Sequence, residues 1–210
     1  MKYPLLTQKK ADFLLFKSIV ELIINKDHLT IEGLNKIINI KAAINKGLSK
    51  ELIEFFPNII PVNRPIIVTS DIPDPNWISG FSSGESCFDV KTNKSIRYTA
   101  GYQIQIRFRI TQHTRDRALL DLIASYLDCG SIQPSLNVVN FCVSNYKDVV
   151  NIIISFFNKY PIQGSKFFDF EDFCKVAELM ENKAHLTIEG MEQIKEIKNK
   201  MNSLRTETSN

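Results

Sequence analysis

The chain has 210 residues, of which 44% are hydrophobic and 10% aromatic, so it can bury the core of one or two domains. Its formal net charge of +3 is too small to indicate nucleic-acid binding unless the basic residues are clustered. The four cysteines lie far apart without a CxxC pair, which predicts neither a zinc site nor a disulfide framework. No apolar stretch is long enough to span a membrane, so we expect a soluble intracellular chain without a membrane partner.

The first part of the chain predicts two helices followed by an extended linker. Apolar residues recur at helical spacing over Phe13–Asn25, and Thr30 opens a second helix that continues to Ile44. Five of the eight prolines then fall within residues 57–76, a density that resists helix and favours extended chain. We therefore interpret residues 57–76 as a proline-rich linker.

After the linker, the pattern alternates between one helix and a pair of strands. Pro75 or Asn76 is the predicted cap of the first helix. The predicted elements are helix Trp77 to about Phe88, strands Asp89–Tyr98 and Gly101–Thr111, helix Arg115–Leu127, strands Cys129–Gln133 and Val138–Ser144, and helix Tyr146–Lys159. This αββαββα order, followed by further helices, indicates an α+β fold.

The C-terminal helices repeat the N-terminal ones. Residues Tyr3–Lys46 and Tyr160–Ser203 align without a gap at an offset of 157, with 20 of 44 positions identical. Solenoid repeats have periods of about 20–50 residues, whereas this period has the length of a domain. We therefore expect residues 1–56 to be the last helices of one unit and residues 77–205 to be a second, complete unit.

The helix predicted after the linker carries two glycines four residues apart, Gly80 and Gly84, followed directly by Glu85. Glycine costs about 1 kcal/mol relative to alanine inside a helix. Two glycines on one face therefore indicate either a tight helix–helix contact or a poor helix that is really a loop. Glu85 considered alone would be an ordinary solvated glutamate near a helix end.

The segment Ile78–Ser86 resembles the signature helix of the LAGLIDADG homing endonucleases, and the linker and the αββαββα order fit that family. The resemblance implies that Gly80 and Gly84 pack against a second signature helix. It also implies that Glu85 is a catalytic acid that binds Mg²⁺, with Ca²⁺ supporting DNA binding without cleavage. A hard cation prefers carboxylate oxygens, polarises phosphate and activates water, which agrees with this role. The chain departs from the family pattern at Ser86, where glycine is usual.

Two further residues lie where this family keeps auxiliary catalytic groups. The resemblance implies that Gln112 positions water and that Lys166 steadies charge at the phosphate, and Lys9 has the equivalent place in the repeat. From the residues alone, Gln112 can equally cap the next helix, and Lys166 can be one exposed lysine among many. His113 is expected to start that helix or to contact phosphate.

The segment Gln103–Ile110 alternates apolar residues with glutamine or arginine. Alternation often means only a solvated face, but four consecutive outward residues drawn only from Gln and Arg favour a ligand. These side chains read adenine and guanine edges in the major groove, at about 1–3 kcal/mol for each good bidentate pair. We therefore predict double-stranded DNA as the ligand. Its predicted contacts are Gln103, Gln105, Arg107 and Arg109, widened by Lys91, Asn93, Lys94, Arg97, Gln133 and Asn137.

The resemblance covers residues 70–204 as one complete half and residues 1–64 as the end of a preceding half. One Glu85 per chain cannot supply the two acids that cutting both DNA strands requires in this family. We therefore expect either a homodimer paired through Gly80 and Gly84 or the C-terminal half of a longer enzyme whose N-terminal half is missing. Chains that resemble this one are commonly encoded by introns of fungal mitochondrial genomes, which implies a mitochondrial location.

Three functions stay open on the sequence. The first is a magnesium-dependent, site-specific DNA endonuclease, or its C-terminal half. The second is a group I intron maturase, which binds the RNA of its own intron and assists splicing without using the acidic residues. The third is a DNA-binding fragment that has lost catalysis, which Ser86 and the missing half favour and the intact Glu85 argues against.

Overall fold

The computed structural model describes residues 4–97 and 100–202. Tyr98, the predicted end of a strand, and the outer ends of the repeat at Tyr3 and Ser203 lie outside these ranges. The chain divides into two compact units, unit 1 up to Thr69 and unit 2 from Ser70. None of the helices in the described ranges has the length and apolar character that crossing a bilayer requires.

Unit 1 is helical, followed by irregular extended chain. The two predicted helices are present, and a third, which the sequence did not predict, begins after Ser49, whose side chain accepts a hydrogen bond from the Leu52 N–H at 3.4 Å. The helices are α1 (Lys9–Ile24), α2 (Ile31–Ala42) and α3 (Lys50–Phe55), with a 3₁₀ turn at Asp27–Leu29. Helix α2 ends two residues before the predicted Ile44.

The linker is held to the helices of unit 1 by Arg64. Its guanidinium donates hydrogen bonds to the Asp12 carboxylate at 2.5 Å, to the Ala43 carbonyl at 3.1 Å and to the Gln8 carbonyl at 3.2 Å. These acceptors come from α1 and from the end of α2. One arginine therefore fixes extended chain that its prolines exclude from a helix or a sheet interior.

Unit 2 has the predicted αββαββα order followed by two helices, which confirms the α+β fold. Its strands form one antiparallel sheet in the order β1-β2-β4-β3. The elements are α4 (Pro75–Glu85), β1 (Ser86–Lys94), β2 (Tyr102–His113), α5 (Arg117–Leu127), β3 (Ser131–Pro134), β4 (Val138–Val143), α6 (Tyr146–Asp148), a π-helical turn (Val149–Ile154), α7 (Ser155–Lys159), α8 (Lys166–Glu181) and α9 (Ile188–Lys198), with 3₁₀ turns at Thr114–Asp116 and Ala184–Leu186.

Both ends predicted for α4 are wrong. The cap is neither Pro75 nor Asn76 but Asp74, whose carboxylate accepts a hydrogen bond from the Asn76 N–H at 2.7 Å. Pro75 instead fills the first helical position, which its missing N–H suits. The helix ends at Glu85 rather than near Phe88, because Phe88 pairs with Phe108 across the sheet and is fully buried.

The core of unit 2 is centred on Phe88. Its ring centroid lies 5.3 Å from those of Phe108, Phe170 and Phe173 and 5.7 Å from that of Phe157. These rings come from the neighbouring strands β1 and β2 and from α7 and α8. Aromatic pairs at such separations contribute about 0.5–1.5 kcal/mol beyond the area they bury. The inner face of the sheet is thereby fixed against the helices.

The repeated segments have the same local structure. Thr30 and Thr187 each accept a hydrogen bond from a glycine N–H at 3.0 Å, which caps α2 and α9. Asn45 and Asn202 both adopt a left-handed backbone, with φ of 52° and 56°. Their N–H groups donate to Asp12 at 3.0 Å and to Asp169 at 2.9 Å respectively. The sequence repeat is therefore also a structural repeat.

Gly190 of this repeat has no room for a side chain. A Cβ atom at Gly190 would lie 2.1 Å from the Ala184 carbonyl oxygen, and that oxygen belongs to a backbone turn that cannot swing away. Gly190→Ala should therefore lower the free energy of unfolding by about 3 kcal/mol, the upper end of the range for overpacking. Gln193→Ala, on the exposed side of the same helix, is the control and should stay within about 0.5 kcal/mol. Equal urea midpoints for the two variants would contradict this packing.

Candidate catalytic and nucleic-acid interface

The outward face of the sheet carries the predicted polar side chains. Along β2, Ile104, Ile106, Phe108 and Ile110 are buried, while the residues between them are exposed or half-buried. Cross-strand pairing places Lys91 of β1 beside Gln105 and Asn93 beside Gln103. The structure therefore brings together Lys91, Asn93, Gln103, Gln105, Arg107 and Arg109 on one face.

The remaining predicted contacts lie at the margins of that face. Lys94 ends β1 beside Tyr102, and Arg97 follows it in the turn. Gln133 pairs with Asn140 between β3 and β4. Asn137 lies in the turn between those strands, where its backbone carbonyl accepts a hydrogen bond from the Thr114 N–H at 3.2 Å. Gln133 is placed to widen the surface, whereas Lys94 has the parity of the inward-facing Phe88 and Val90 and so lies on the opposite side of β1.

Arg107 is held in place by Asp89, directly opposite it on β1. The Arg107 Nε–H donates to Asp89 Oδ2 at 3.1 Å, and Nη2 donates to the same oxygen. The sequence pattern predicted Arg107 as a DNA contact but not Asp89. Asp89 belongs to the same alternating pattern as Lys91 and Asn93, so the strand period could have placed it on this face, although not beside Arg107.

Arg109 has different neighbours. It pairs with Cys87 on β1 and with Cys142 on β4, and its Nε atom is buried without a hydrogen-bond partner among the described residues. Burial, with a smaller contribution from the charge of Asp89, raises the pKa of the Cys87 thiol. Thiols therefore flank this arginine on both sides, and all four cysteines are free.

Glu85 lies where α4 passes directly into β1, at the end of the polar face. Gln112, near the end of β2, donates a hydrogen bond from Nε2 to Glu85 Oε2 at 3.0 Å. Lys166, at the start of α8, donates from Nζ to the Ser86 carbonyl at 2.6 Å. The three residues predicted for catalysis therefore meet around the junction of α4 and β1. Glu85 is exposed, and the hydrogen bond from Gln112 occupies only one of its two carboxylate oxygens.

Ser86, the departure from the family pattern, fits this junction. Its hydroxyl donates to the Ser82 carbonyl at 2.6 Å, and the residue is buried. The extra side chain therefore adds a second donor to a carbonyl of the last helical turn, which already accepts a hydrogen bond from the Ser86 N–H. The backbone beside Glu85 accommodates serine without a left-handed conformation, since Ser86 has φ of −89°.

Gly80 and Gly84 lie on an open face of α4. The segment is helical through both glycines, which excludes the loop interpretation. Within the described chain, nothing lies within 4 Å of a Cβ atom built on either residue. Trp77 and Phe81 stack on the same face with ring centroids 4.9 Å apart. The face at positions 77, 80, 81 and 84 is therefore flat, partly aromatic and accessible to another helix.

Known proteins are similar to this chain over most of its length. A family model described as LAGLIDADG endonuclease matches residues 78–177. The probable intron-encoded endonuclease 3 of Neurospora crassa is 47% identical over 195 residues, which make up 91% of this chain and 36% of that protein. The chain therefore spans about a third of the length of this relative.

The fold of the chain is also similar to solved structures of LAGLIDADG homing endonucleases. The structure of the I-SmaMI LAGLIDADG homing endonuclease bound to cleaved DNA matches with a TM-score of 0.94 at 45% identity, covering 98% of this chain and 69% of that one. I-SmaMI bound to an uncleaved DNA target in the presence of calcium ions matches with a TM-score of 0.92 at 46% identity, covering 95% and 69%. Sequence and fold therefore point to one family.

Gln112 is not the cap of the next helix. His113 caps the 3₁₀ turn that leads into α5, because its Nδ1 accepts a hydrogen bond from the Arg115 N–H at 3.2 Å, whereas α5 itself begins after Asp116. The expectation that His113 starts the helical segment is confirmed for this turn. His113→Ala should lower the free energy of unfolding by about 1 kcal/mol through the lost cap. Gln112→Ala should leave it within about 0.5 kcal/mol, since Gln112 bonds only an exposed carboxylate. Thermal melts of the two variants compare them, and an equal loss would indicate that Gln112 is structural.

Proposed function

Because the chain belongs to the LAGLIDADG homing endonuclease family, we propose that it binds a specific site in double-stranded DNA and hydrolyses phosphodiester bonds there, alone or as part of a longer enzyme. The observation that supports this most directly is the hydrogen bond of 3.0 Å between Gln112 and Glu85 at the end of the polar sheet face. Lys166 lies at the same junction, bonded to the residue after Glu85. An acid, an amide and an ammonium group thus stand beside a surface rich in Gln and Arg.

The chemistry of Glu85 fits a divalent cation in part. An exposed carboxylate is the ligand type that Mg²⁺ and Ca²⁺ prefer. No three His, Cys, Asp or Glu side chains of the described residues gather to hold a metal ion. We therefore propose that Glu85 binds Mg²⁺ together with oxygen atoms from DNA and a second acid. When bound, Mg²⁺ supplies Lewis-acid polarisation of the phosphate and a more acidic water.

Gln112 and Lys166 have separate roles beside Glu85. Gln112 donates to one oxygen of Glu85 and so limits the rotation of the carboxylate. Its side-chain carbonyl remains available to orient a water molecule. The Lys166 ammonium uses one of its three donors on the Ser86 carbonyl, which leaves positive charge and two donors for a phosphate oxygen. Both groups depend on the same helix–strand junction.

A second acid requires a second signature helix. We propose that the open face around Gly80 and Gly84 packs against such a helix, from another copy of the chain or from another half of a longer enzyme. The missing Cβ atoms let two backbones approach closely, and the accessible rings of Trp77 and Phe81 would be buried in the contact.

The helices of unit 1 support the same proposal. Phe16 is 58% exposed, whereas its repeat equivalent Phe173 is fully buried with its ring 5.3 Å from that of Phe88. Leu34 is 38% exposed and its equivalent Met191 only 2%. The apolar face that α8 and α9 bury on their sheet is therefore exposed on α1 and α2.

A polar contact repeats this contrast. Asn202 donates from Nδ2 to the Phe88 carbonyl at 3.0 Å, whereas the side chain of its equivalent Asn45 is exposed. We propose that α1 and α2 pack against a second sheet of the same kind, with Asn45 donating to a strand carbonyl.

An intron-encoded relative supports an intron origin for the gene of this chain. On the family resemblance, we propose a mitochondrial location.

Replacement of Glu85 tests the catalytic proposal. Glu85→Gln should lower the cleavage rate at least about a hundredfold, because several kcal/mol of charge stabilisation depend on the cation it holds. Affinity for the same duplex without divalent metal should change by no more than about twofold. Glu192→Gln, an exposed glutamate of α9, is the matched control and should cut at the normal rate. Cleavage by Glu85→Gln at the control rate would refute the proposal. Loss of DNA cleavage in every form with retained intron splicing would instead favour the maturase.

Substitution of Gly84 tests the pairing proposal. Gly84→Ala should raise the free energy of unfolding of the chain by about 1 kcal/mol, because alanine favours helix and its Cβ meets open space. The same methyl group should weaken pairing about tenfold, because overpacking a close contact costs about 1–3 kcal/mol. Analytical ultracentrifugation over a range of concentrations measures the pairing. An unchanged pairing constant would show that the helices meet through another face.

A further inference from the structure

Asp89 is an acidic side chain on a surface proposed to meet DNA. The surface around it presents lysine, glutamine, asparagine and arginine. A carboxylate there repels phosphate, so its presence needs a reason beyond general attraction to nucleic acid. The reason lies in its partner, Arg107, to which it is joined by two hydrogen bonds.

The pair fixes one edge of the Arg107 guanidinium and leaves the other open. Nε and Nη2 both donate to Asp89 Oδ2, and the two side chains are only 16% and 26% exposed. Nη1 has no hydrogen-bond partner among the described residues, and it is not among their buried unpartnered atoms. The edge formed by Nη1 and the second hydrogen of Nη2 has no partner among the described residues, so this rigid fork can donate two parallel hydrogen bonds from it.

We propose that Asp89 fixes Arg107 as the reader of a guanine in the target site, which makes Asp89 a positioning residue for sequence specificity. This inference rests on the proposed DNA binding. Guanine presents two adjacent acceptors, O6 and N7, in the major groove, and a bidentate arginine is their usual partner. Asp89 also neutralises most of the charge of Arg107, which weakens any contact with phosphate and leaves base reading as the favoured use.

Arg109 provides the internal contrast. It lies two residues further along the same face and makes no ion pair with any described residue. Its direct neighbours across the sheet are the thiols of Cys87 and Cys142, so no carboxylate lies opposite it to fix its guanidinium. The positive charge of Arg109 is therefore available to attract DNA, whereas Arg107 has a fixed orientation suited to hydrogen bonds with a base.

The strand geometry places the guanine. Arg107 precedes Gln112 by five residues on β2, which corresponds to about 16 Å at the usual strand rise. If β2 runs along the major groove, a base-pair rise of about 3.4 Å puts the contacted base pair roughly five pairs from the scissile phosphate. A cross-strand ion pair that only stabilises the sheet makes no such prediction, since its loss would affect all DNA sequences equally.

Selection from random duplex DNA with the full chain in calcium tests the inference, followed by affinity measurements with each of the four bases at every enriched position. Arg107→Lys keeps the charge but loses the fork, and it should reduce the preference for guanine at one position by about 5- to 150-fold. Asp89→Ala should reduce the preference at that same position. It should also make the slope of log affinity against log salt steeper by about one, because the charge of Arg107 is no longer offset by Asp89.

Controls separate this role from a structural one. Arg109→Lys should change affinity at a different position or at none. Asp89→Asn keeps the shape and one acceptor of the carboxylate, so it serves as the second variant if Asp89→Ala melts early. An unchanged salt slope with a uniform loss of affinity for both Asp89 variants would overturn the inference, as would an Arg107-dependent position that does not prefer guanine. Absence of any enriched sequence with the natural chain would overturn the proposed DNA binding itself.

Discussion

The direct passage from helix α4 into strand β1 is the constraint on which the rest of the site depends. Glu85 is the last residue of the helix and Ser86 the first of the strand, so no flexible loop separates them. The Ser86 N–H and hydroxyl both donate to the Ser82 carbonyl, and the Ser86 carbonyl accepts from Lys166. Because Ser86 also pairs with Ile110 in the sheet, the position of the Glu85 backbone is set by the packing of the core.

The same packing decides which residues face outward. Side chains alternate along a strand, so a slip of one residue would exchange the aromatic face with the polar face. Phe88 and Phe108 are paired across the sheet and surrounded by rings from α7 and α8, which makes such a slip very costly. Phe108 is buried in the core, so its two neighbours on the strand, Arg107 and Arg109, point outward. Stability and recognition depend on one register.

Much of this could be read from the sequence because the patterns are local. The alternation over Gln103–Ile110 and the repeat at an offset of 157 each predicted what the structure has. The end of α4 was missed because Phe88 suits a helix as well as a strand, and only its pairing with Phe108 decides. Asp89 was missed because a carboxylate on a basic face has meaning only through its cross-strand partner. Such pairings depend on register, which a single sequence does not state.

The exposure of Glu85 and of the glycine face of α4 together has a thermodynamic consequence. One exposed carboxylate holds a divalent cation weakly, because such cations take six or more oxygen ligands. If a second acid and phosphate oxygens complete the set, as proposed, then metal affinity depends on both pairing and DNA. Linkage is reciprocal, so the metal must strengthen DNA binding by the same factor by which DNA strengthens metal binding. Under that proposal, the nuclease is assembled fully only on its target, and an unpaired chain in solution carries an acid without the means to cut.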